Sequence, residues 1–232
     1  MARGAADSLL FELPEEPDDF FERRAKRRGA RLVVGVDEVG RGPLAGPVVT
    51  AAVCFERGRV PDGVNDSKKL TAAERERLYE AIAKVATISV AVAGPARIDR
   101  MNILRASLWA MSRAVAALAC KADYVLVDGN MLPPGLPCPA EAIVSGDARS
   151  CSIAAASIVA KVTRDRLMTA IGNTLPAYGF GNHMGYSTPE HLEALKCHGA
   201  TAHHRRSFAP VREALGLAPL ADAAALVLPG LD

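Results

Sequence analysis

The sequence has few cysteines, and none of them is spaced for pairing or for metal binding. Its 232 residues include five cysteines, an odd number, and there is no C-x-x-C motif. Disulfide frameworks and zinc knuckles both depend on regularly spaced cysteine pairs, so neither is predicted. We therefore expect reduced thiols. The positions are Cys54, Cys120, Cys138, Cys151 and Cys197.

Long apolar runs are also missing. No stretch reaches the roughly 18 consecutive apolar residues that indicate a transmembrane helix. Residues 1–30 carry Glu, Asp and Arg where a signal peptide would need an apolar core. We therefore predict a cytoplasmic protein without a membrane span. Hydrophobic residues nevertheless make up 50% of the chain and charged residues 23%, which is typical of a globular protein with a buried core.

A large excess of charge of one sign is absent as well. The formal net charge is only +2, which does not by itself indicate a nucleic-acid-binding protein. Basic residues do gather in three places, at residues 23–31, at Lys68-Lys69 and at His204-Arg205-Arg206. Each patch alone is explained equally well by a solvated surface, so charge leaves the partner open.

The hydrophobic pattern divides the chain into three parts. Residues 1–30 are charged and contain Pro14 and Pro17, so we interpret them as a loose or variable extension. Over residues 31–214, β-branched runs alternate with amphipathic helical segments, which predicts one α/β domain with a mixed sheet flanked by helices. Residues 215–232 form a tail rich in alanine and leucine, whose structure the pattern does not predict.

Three segments of this domain give clear local predictions. Thr71-x-x-Glu74 has the capping-box spacing that begins a helix. Apolar residues between 98 and 118 recur every three or four positions, which predicts one long helix. Thr188 and Pro189 have the preferences of an N-cap and a first helical residue, and Gly199 is suited to end that helix.

Four carboxylates occupy positions where predicted strands end. Asp37 and Glu38 close the first apolar run, Asp128 closes the run at 124–127, and Asp147 follows the run at 143–144. Taken singly, each is more simply explained as a turn or cap residue. Together they could converge on one edge of a sheet, where buried carboxylates need a cation. Such oxygen donors suit Mg²⁺ or Mn²⁺ and not zinc.

The adjacent pair Asp37-Glu38 raises a geometric problem. Neighbouring residues of a regular strand point to opposite faces, so both side chains would not aim at one metal ion. Either the strand bends at Val39-Gly40, or Glu38 binds differently from Asp37.

The glycine-rich turn that follows matches the dinucleotide-binding pattern in form only. Gly40-x-Gly42-x-x-Ala45 would have to be followed by a helix, whereas the β-branched run at 48–53 predicts a strand. We therefore reject a nicotinamide-dependent oxidoreductase. Glycines at this turn are better suited to let backbone amides approach a sugar or a phosphate.

A later helical segment offers candidate phosphate contacts. Ser157 and Lys161 share a helix face at a spacing of four residues, and Arg164 follows three residues later. Alone, this spacing is typical of a solvated face, but behind a carboxylate cluster it predicts a phosphate clamp. None of the five histidines falls into a zinc-binding motif, so surface or structural roles are favoured. They are His183, His191, His198, His203 and His204.

Several blocks of sequence, taken in order, form a specific pattern. They are GVDEVGRGPLAGP from Gly35 to Pro47, Asp66-Ser67-Lys68-Lys69-Leu70, Val127-Asp128-Gly129-Asn130, Gly146-Asp147, Ser152 through Asp165, Gly185-Tyr186-x-Thr188 through His191, and His204-Arg205-Arg206-Ser207-Phe208 with Pro210. In this order they resemble the ribonuclease HII family, and the resemblance covers about residues 31–212.

The resemblance implies a ribonuclease H-like fold with a C-terminal helical segment and a metal-dependent endonuclease that acts as a monomer. Its expected substrates are RNA/DNA hybrids and duplex DNA with embedded ribonucleotides. Cleavage on the 5′ side of a ribonucleotide would leave 3′-OH and 5′-phosphate ends. Two Mg²⁺ or Mn²⁺ ions would bridge the scissile phosphate.

The resemblance also assigns the acidic residues. It implies that Asp37, Glu38, Asp128 and Asp147 are both the catalytic residues and the metal ligands. Asp165 is the nearby competitor for the fourth place, and we rank it behind Asp147.

Substrate recognition is assigned in the same way. The resemblance implies that Gly40, Arg41, Gly42 and Tyr186 recognise the 2′-OH and the sugar at an RNA–DNA junction. Two positions depart from the family, because Ser145 and Met184 stand where it usually has lysine. Losing two positive charges near the site predicts weaker contact with the nucleic-acid backbone.

Two other functions stay open at this point. An inactive hybrid-binding module would keep the basic patches without needing four carboxylates. A sister nuclease that needs runs of ribonucleotides is a closer alternative, although Gly40-Arg41-Gly42 together with Tyr186 favours the junction-cutting type.

Overall fold

A mixed five-stranded sheet forms the centre of the computed structural model, which describes residues 14–55 and 59–218. The strands are β1 (Val33–Val39), β2 (Val48–Cys54), β3 (Thr87–Ala93), β4 (Tyr124–Asp128) and β5 (Ala140–Ile143). They lie in the order β3-β2-β1-β4-β5. Pairing is antiparallel from β3 through β2 to β1 and parallel from β1 through β4 to β5. The predicted mixed sheet is therefore confirmed.

Helices cover both faces of this sheet. They are α1 (Phe20–Arg27), α2 (Ala72–Val85), α3 (Pro95–Met101), α4 (Ile103–Ala116), α5 (Cys151–Thr174), α6 (Phe180–His183), α7 (Pro189–His198) and α8 (Ala209–Ala214). The long helix α5 packs across β1 and β2 on one face and against α2, while α4 covers the other face. Within the described residues, no helix combines the length and the apolar character needed to cross a membrane.

Two of the three local helix predictions are confirmed. Thr71 Oγ1 accepts the N–H of Glu74 at 3.3 Å, and the Glu74 carboxylate accepts the N–H of Thr71 at 2.7 Å, which completes the capping box. Thr188 caps α7, Pro189 is its first residue, and Gly199 is its C-cap. Both signals act through local hydrogen bonds and backbone angles, so the sequence was sufficient to predict them.

The single long helix predicted over residues 98–118 is wrong. The chain forms two helices there, α3 and α4, separated by Asn102 at a φ of 66°. The Asn102 side chain accepts the N–H of Arg105 at 3.0 Å and so caps the second helix. The ψ of Asn102 is 166°, and this combination of angles is rare outside glycine, so the cap offsets part of the cost of the break. Hydrophobic spacing continues across the break and does not reveal it.

The N-terminal residues that the structure describes are packed against the domain and are not loose. Phe21 and Ala25 on α1 are buried against a cluster that includes Ile153. Glu22 Oε1 accepts hydrogen bonds from the Ser152 N–H at 2.8 Å and the Ser152 hydroxyl at 2.6 Å. Residues 1–13 and 219–232 lie outside the described part, so the variable extension, the tail and the domain boundaries stay predictions.

The contact between α5 and β1 depends on Gly35. A Cβ at this position would lie 2.1 Å from the carbonyl carbon of Ser152, which no side chain could occupy. The missing side chain lets the backbone of α5 lie directly on the strand. This close approach brings the following turns of α5 next to the carboxylate end of β1.

Candidate active site

The four predicted carboxylates gather at one edge of the sheet. β1 and β4 are parallel neighbours, so Asp37 and Glu38 near the end of one strand lie beside Asp128 at the end of the other. Asp147 lies in a short 3₁₀ turn after β5. Asp128 Oδ1 accepts the N–H of Gly146 at 2.7 Å and the N–H of Asp147 at 3.4 Å, which ties this turn to β4.

The carboxylates are close enough to perturb one another. The exposed fraction is 4% for Asp37 and 6% for Asp147. Burial is the main cause that raises the pKa of Asp37, followed by the negative charges of Asp128 and Glu38, with a contribution from Asp147. Burial and the charge of Asp147 likewise raise the pKa of Asp128. A cluster of this kind is costly to ionise unless cations offset its charge.

β1 runs straight through Asp37 and Glu38 to Val39, and the chain leaves the strand only at Gly40, which has a φ of 98°. Its ladder with β2 continues without interruption to Val39, which pairs with Val49. Alternation therefore directs Asp37 toward α5 and Glu38 to the opposite side. Glu38 Oε1 lies 3.3 Å from Arg41 Nη1, while Glu38 Oε2 is buried without a hydrogen-bond partner among the described residues. Of the two possibilities that the sequence left open, the structure supports the second, in which Glu38 is held differently from Asp37.

The donor set fits a hard divalent cation. All four groups are carboxylates, and the unsatisfied Glu38 Oε2 gives one of them a buried oxygen available for coordination. Across residues 14–55 and 59–218, no three His, Cys, Asp or Glu side chains are already grouped to hold a metal ion. Coordination would therefore require rotation of these side chains about χ1 or χ2, on a backbone that already brings them to one edge.

We expect the Glu38→Gln variant to lose part of the pH dependence of stability. Burial is the largest cause that raises the pKa of Glu38 from 4.5 to about 7. The folded state therefore keeps a proton that the unfolded state releases between these values. This contribution to the free energy of unfolding is full below about pH 4.5 and is lost as the pH rises through 7. Melting curves in the presence of a chelator should show a shallower decline for the variant, and identical slopes would contradict the burial of this carboxyl.

Lys68 is a site residue that the sequence analysis did not single out. Its ammonium donates a hydrogen bond to Asp147 Oδ2 and lies 3.5 Å from Asp66 Oδ1. Partial burial lowers the pKa of Lys68, but these contacts outweigh it, and the net effect raises the pKa above its ordinary value. The block Asp66-Ser67-Lys68-Lys69-Leu70 was the available signal. Its proximity to Asp147 depends on the fold and could not be inferred from spacing.

Ser157 lies behind the acidic cluster and not on an exposed face. It is buried, it hydrogen-bonds to Asp37, and its Oγ lies 2.8 Å from Ser67 Oγ. The predicted contact of Ser157 with substrate is therefore not supported, and its position instead orients Asp37.

Lys161 and Asp165 form an ion pair farther along α5. Lys161 Nζ lies 2.8 Å from Asp165 Oδ1, and each side chain is about one-quarter exposed. Asp165 follows Ser157 by eight residues, which places it about 12 Å farther along the helix axis. This distance favours Asp147 over Asp165 as the fourth acidic residue. Lys161 keeps enough exposure to contact a phosphate, and that role stays a prediction.

Arg164 is fully buried, so its predicted phosphate contact is not supported. Its Nε donates to the carbonyl of Pro47 at 3.0 Å and its Nη2 to the carbonyl of Ala45 at 3.3 Å. The helical spacing that grouped it with Lys161 is present, but the glycine-rich loop covers this end of the face. Arg164 therefore supports the glycine-rich loop from the interior of the protein.

Arg205, which the sequence analysis did not assign to the site, supports the same loop. It is fully buried and donates to the carbonyls of Gly46 at 3.0 Å, Arg41 at 2.8 Å and Gly40 at 2.5 Å. In a trans peptide the N–H points away from the preceding carbonyl. Because the carbonyls of Gly40 and Arg41 face Arg205, the N–H groups of Arg41 and Gly42 face the opposite side.

Tyr186 lies beside this loop. The N–H of Leu44 donates to the carbonyl of Gly185 at 2.8 Å, which joins the two segments. A Cβ on Gly42 would lie 3.7 Å from the Tyr186 ring, and the Tyr186 side chain is 47% exposed. The structure thus brings together Gly40, Arg41, Gly42 and Tyr186. The exposure of the ring shows that it does not serve mainly to fill the core.

The two departures from the family both occur in left-handed turns near the site. Ser145 has a φ of 55° and immediately precedes the turn that contains Asp147. Met184 has a φ of 51° and lies two residues before Tyr186. Their placement fits the expectation that lysine at either position would add charge near the substrate.

Comparison with known proteins identifies one family. The model of the family described as ribonuclease HII matches residues 34–211. The ribonuclease HII of Xanthobacter autotrophicus is 59% identical over 203 residues, which cover 87% of this chain and 81% of that protein. The ribonuclease HII of Sinorhizobium medicae is 56% identical over 212 residues, which cover 91% of this chain and 98% of that protein.

A solved structure resembles this fold as well. The crystal structure of ribonuclease H2 from Pyrococcus horikoshii is 30% identical, with a TM-score of 0.67. The match covers 79% of this chain and 96% of that one. The likeness therefore extends over nearly the whole of the archaeal protein.

Proposed function

The chain belongs to the ribonuclease HII family and is an endoribonuclease of the ribonuclease H type, and we propose that it cuts duplex DNA on the 5′ side of a single embedded ribonucleotide. Its fold is ribonuclease H-like, as the resemblance predicted. Runs of RNA paired with DNA are the second proposed substrate. The proposed products carry 3′-OH and 5′-phosphate ends. The cytoplasmic location and the monomeric state stay predictions.

One observation carries this proposal. β1, which carries Asp37 and Glu38, leads directly into the loop of Gly40, Arg41 and Gly42, and Tyr186 lies against that loop. The carboxylates proposed to cleave the phosphodiester and the groups proposed to contact the sugar therefore lie next to each other. This arrangement suits an enzyme that cuts beside the nucleotide it recognises.

The acidic residues supply the catalytic part of the site. Asp37, Glu38, Asp128 and Asp147 would hold Mg²⁺ or Mn²⁺, and such a cation would supply positive charge at the scissile phosphate and activate water for hydrolysis. Ser157 holds the Asp37 carboxylate in place through its hydroxyl. The ammonium of Lys68 holds Asp147 in the same way.

The loop and Tyr186 supply the recognition part. The outward N–H groups of Arg41 and Gly42 are placed to hydrogen-bond a sugar hydroxyl or a phosphate oxygen. The Tyr186 ring offers a flat surface against which a deoxyribose can pack. A 2′-OH is the group that distinguishes RNA from DNA at such a position, and it is read here without acting as the nucleophile.

A cleavage assay tests the function. The substrates are a DNA duplex with one ribonucleotide, an RNA/DNA hybrid and an all-DNA duplex, each with Mg²⁺, with Mn²⁺ or with chelator. We expect metal-dependent cleavage of the first two substrates. Analysis of the product ends should show 3′-OH and 5′-phosphate groups. Binding without cleavage would indicate a hybrid-binding module, and cleavage of the hybrid alone would indicate the sister type of nuclease.

Substitution of Tyr186 tests the recognition role. We expect Tyr186→Ala to lower cleavage at a single ribonucleotide by roughly 5- to 150-fold, which corresponds to about 1–3 kcal/mol of aromatic packing on a nucleotide. Tyr186→Phe keeps the ring and should lose less. Thermal melting of both variants provides the control, because the half-exposed ring contributes little to the core. A destabilised Tyr186→Ala protein with normal activity per folded molecule would contradict the proposal.

A further inference from the structure

Two buried histidines lie directly behind Tyr186. His191 is 0% exposed and His204 is 1% exposed, and their Nε2 atoms are 3.1 Å apart. His191 Nδ1 lies 2.8 Å from the carbonyl oxygen of Tyr186. This pair is not part of the acidic cluster. It is linked to the recognition part of the site through the backbone of Tyr186.

The hydrogen bonds of the backbone determine which nitrogen carries each proton. The N–H of Thr201 donates to His204 Nδ1 at 3.0 Å, so this nitrogen is an acceptor. A neutral His204 must then carry its proton on Nε2 and donate it to His191 Nε2. His191 in turn carries its proton on Nδ1 and donates it to the carbonyl of Tyr186. Every donor in this series of hydrogen bonds has one acceptor, and the series runs in one direction, from Thr201 to Tyr186.

The surroundings keep both rings neutral. Burial is the largest cause that lowers the pKa of His204 to about 4, and the neighbouring His191 and His203 contribute. Burial also lowers the pKa of His191, with a smaller contribution from His183. A proton added to His191 would reside on Nε2 and face the N–H of His204. The hydrogen bond between the two rings would then be lost. The neutral arrangement is therefore the one present near pH 7.

We propose that His204 and His191 form a fixed hydrogen-bond relay that positions Tyr186 for recognition of the sugar, so that both histidines are positioning residues for substrate selection. This inference rests on the proposed recognition role of Tyr186. The Tyr186 carbonyl also accepts the N–H of Thr188 at 2.9 Å. Two donors from different directions fix the orientation of the peptide group that contains the Tyr186 carbonyl. They thereby fix the backbone position from which the exposed Tyr186 ring extends over Gly42.

Two variants of His191 test the relay. His191→Leu fills a similar volume with an apolar side chain and removes the donor, whereas His191→Asn places an amide N–H where Nδ1 was. The measurement is the ratio of kcat/KM for a single-ribonucleotide duplex to kcat/KM for a continuous RNA/DNA hybrid. We expect His191→Leu to lower this ratio in the same direction as Tyr186→Ala, within roughly 5- to 150-fold. His191→Asn should recover most of it.

Phe180→Leu is the matched control for a purely structural role. Phe180 is fully buried, and its ring centroid lies 5.3 Å from that of His191, but its apolar side chain has no donor for the carbonyl of Tyr186. It should lower the melting temperature without changing the ratio. The double variant His191→Leu with Tyr186→Ala should lose no more selectivity than Tyr186→Ala alone, because both act through one ring.

The possible outcomes separate the relay from the function on which it rests. If Tyr186→Ala lowers the ratio and His191→Leu does not, the relay is overturned and the recognition role stands. If Tyr186→Ala itself leaves the ratio unchanged, sugar recognition by Tyr186 fails and the positioning role fails with it. Nitrogen NMR of the wild-type imidazoles gives an independent check. Protons on His191 Nδ1 and His204 Nε2 support the relay, and any other assignment overturns it.

Discussion

Replacing Asp37 with Asn is expected to lower the rate of cleavage by roughly 10³-fold or more while the fold survives. The substitution keeps the size of the side chain but removes the charge that a divalent cation needs. The amide oxygen of the new side chain can still accept the N–H of Glu38, which Asp37 Oδ1 accepts at 2.7 Å. Because burial and three neighbouring carboxylates raise the pKa of Asp37, the neutral amide should not weaken the folded state.

Single-turnover cleavage at saturating metal concentration measures this effect, with melting temperature as the check on folding. Asp128→Asn should behave in the same way. Asp165→Asn is the matched control, because Asp165 pairs with Lys161 away from the cluster, and this variant should cleave nearly as the wild type does. Near-normal cleavage by Asp37→Asn or Asp128→Asn would refute the metal assignment.

Substitution of Gly40 by alanine should be the most disruptive change in the recognition loop. Gly40 has a φ of 98°, and a Cβ there would lie 2.1 Å from Arg164 Nε and 2.8 Å from the carbonyl oxygen of Pro47. Backbone strain in such a conformation costs roughly 1–3 kcal/mol, and overpacking costs about 1–3 kcal/mol more. We therefore expect a clear loss of melting temperature together with loss of cleavage at single ribonucleotides.

Gly42→Ala is the control for this experiment, since the two glycines belong to one motif. A Cβ on Gly42 meets only the Tyr186 ring among the described residues, at an ordinary contact distance of 3.7 Å. Gly42→Ala should fold like the wild type, so any loss of activity would reflect hindered approach of the substrate. Wild-type stability and cleavage in Gly40→Ala would show that the loop does not have the described conformation.

The edge where the acidic residues gather could be predicted because the relevant signals are local. Apolar β-branched runs indicate strands, and the carboxylates at the ends of two parallel strands must then lie side by side. The alternation of Asp37 and Glu38 followed from the same rule. What the rule left open was whether the strand bends, and only the ladder between β1 and β2 decided it.

The burial of Arg164 and the pairing of two histidines were not predicted for one common reason, which is contact between residues distant in the sequence. Arg164 has the spacing of an exposed helix face, but a loop that begins 124 residues earlier, at Gly40, covers it. His191 and His204 fall into no zinc-binding motif, and their contact could not be predicted because it forms only after folding. The break at Asn102 is local, yet hydrophobic periodicity does not detect a change of one backbone angle.

The two arginines beneath the recognition loop have a consequence for the response of this enzyme to ionic strength. Arg164 and Arg205 are fully buried, and within the described residues neither forms an ion pair. Dissolved salt screens exposed charges over about 8–10 Å, but it screens buried charges much less. We therefore expect any attraction that these two charges exert on a phosphate at the loop to persist in salt concentrations that weaken contacts made by surface lysines.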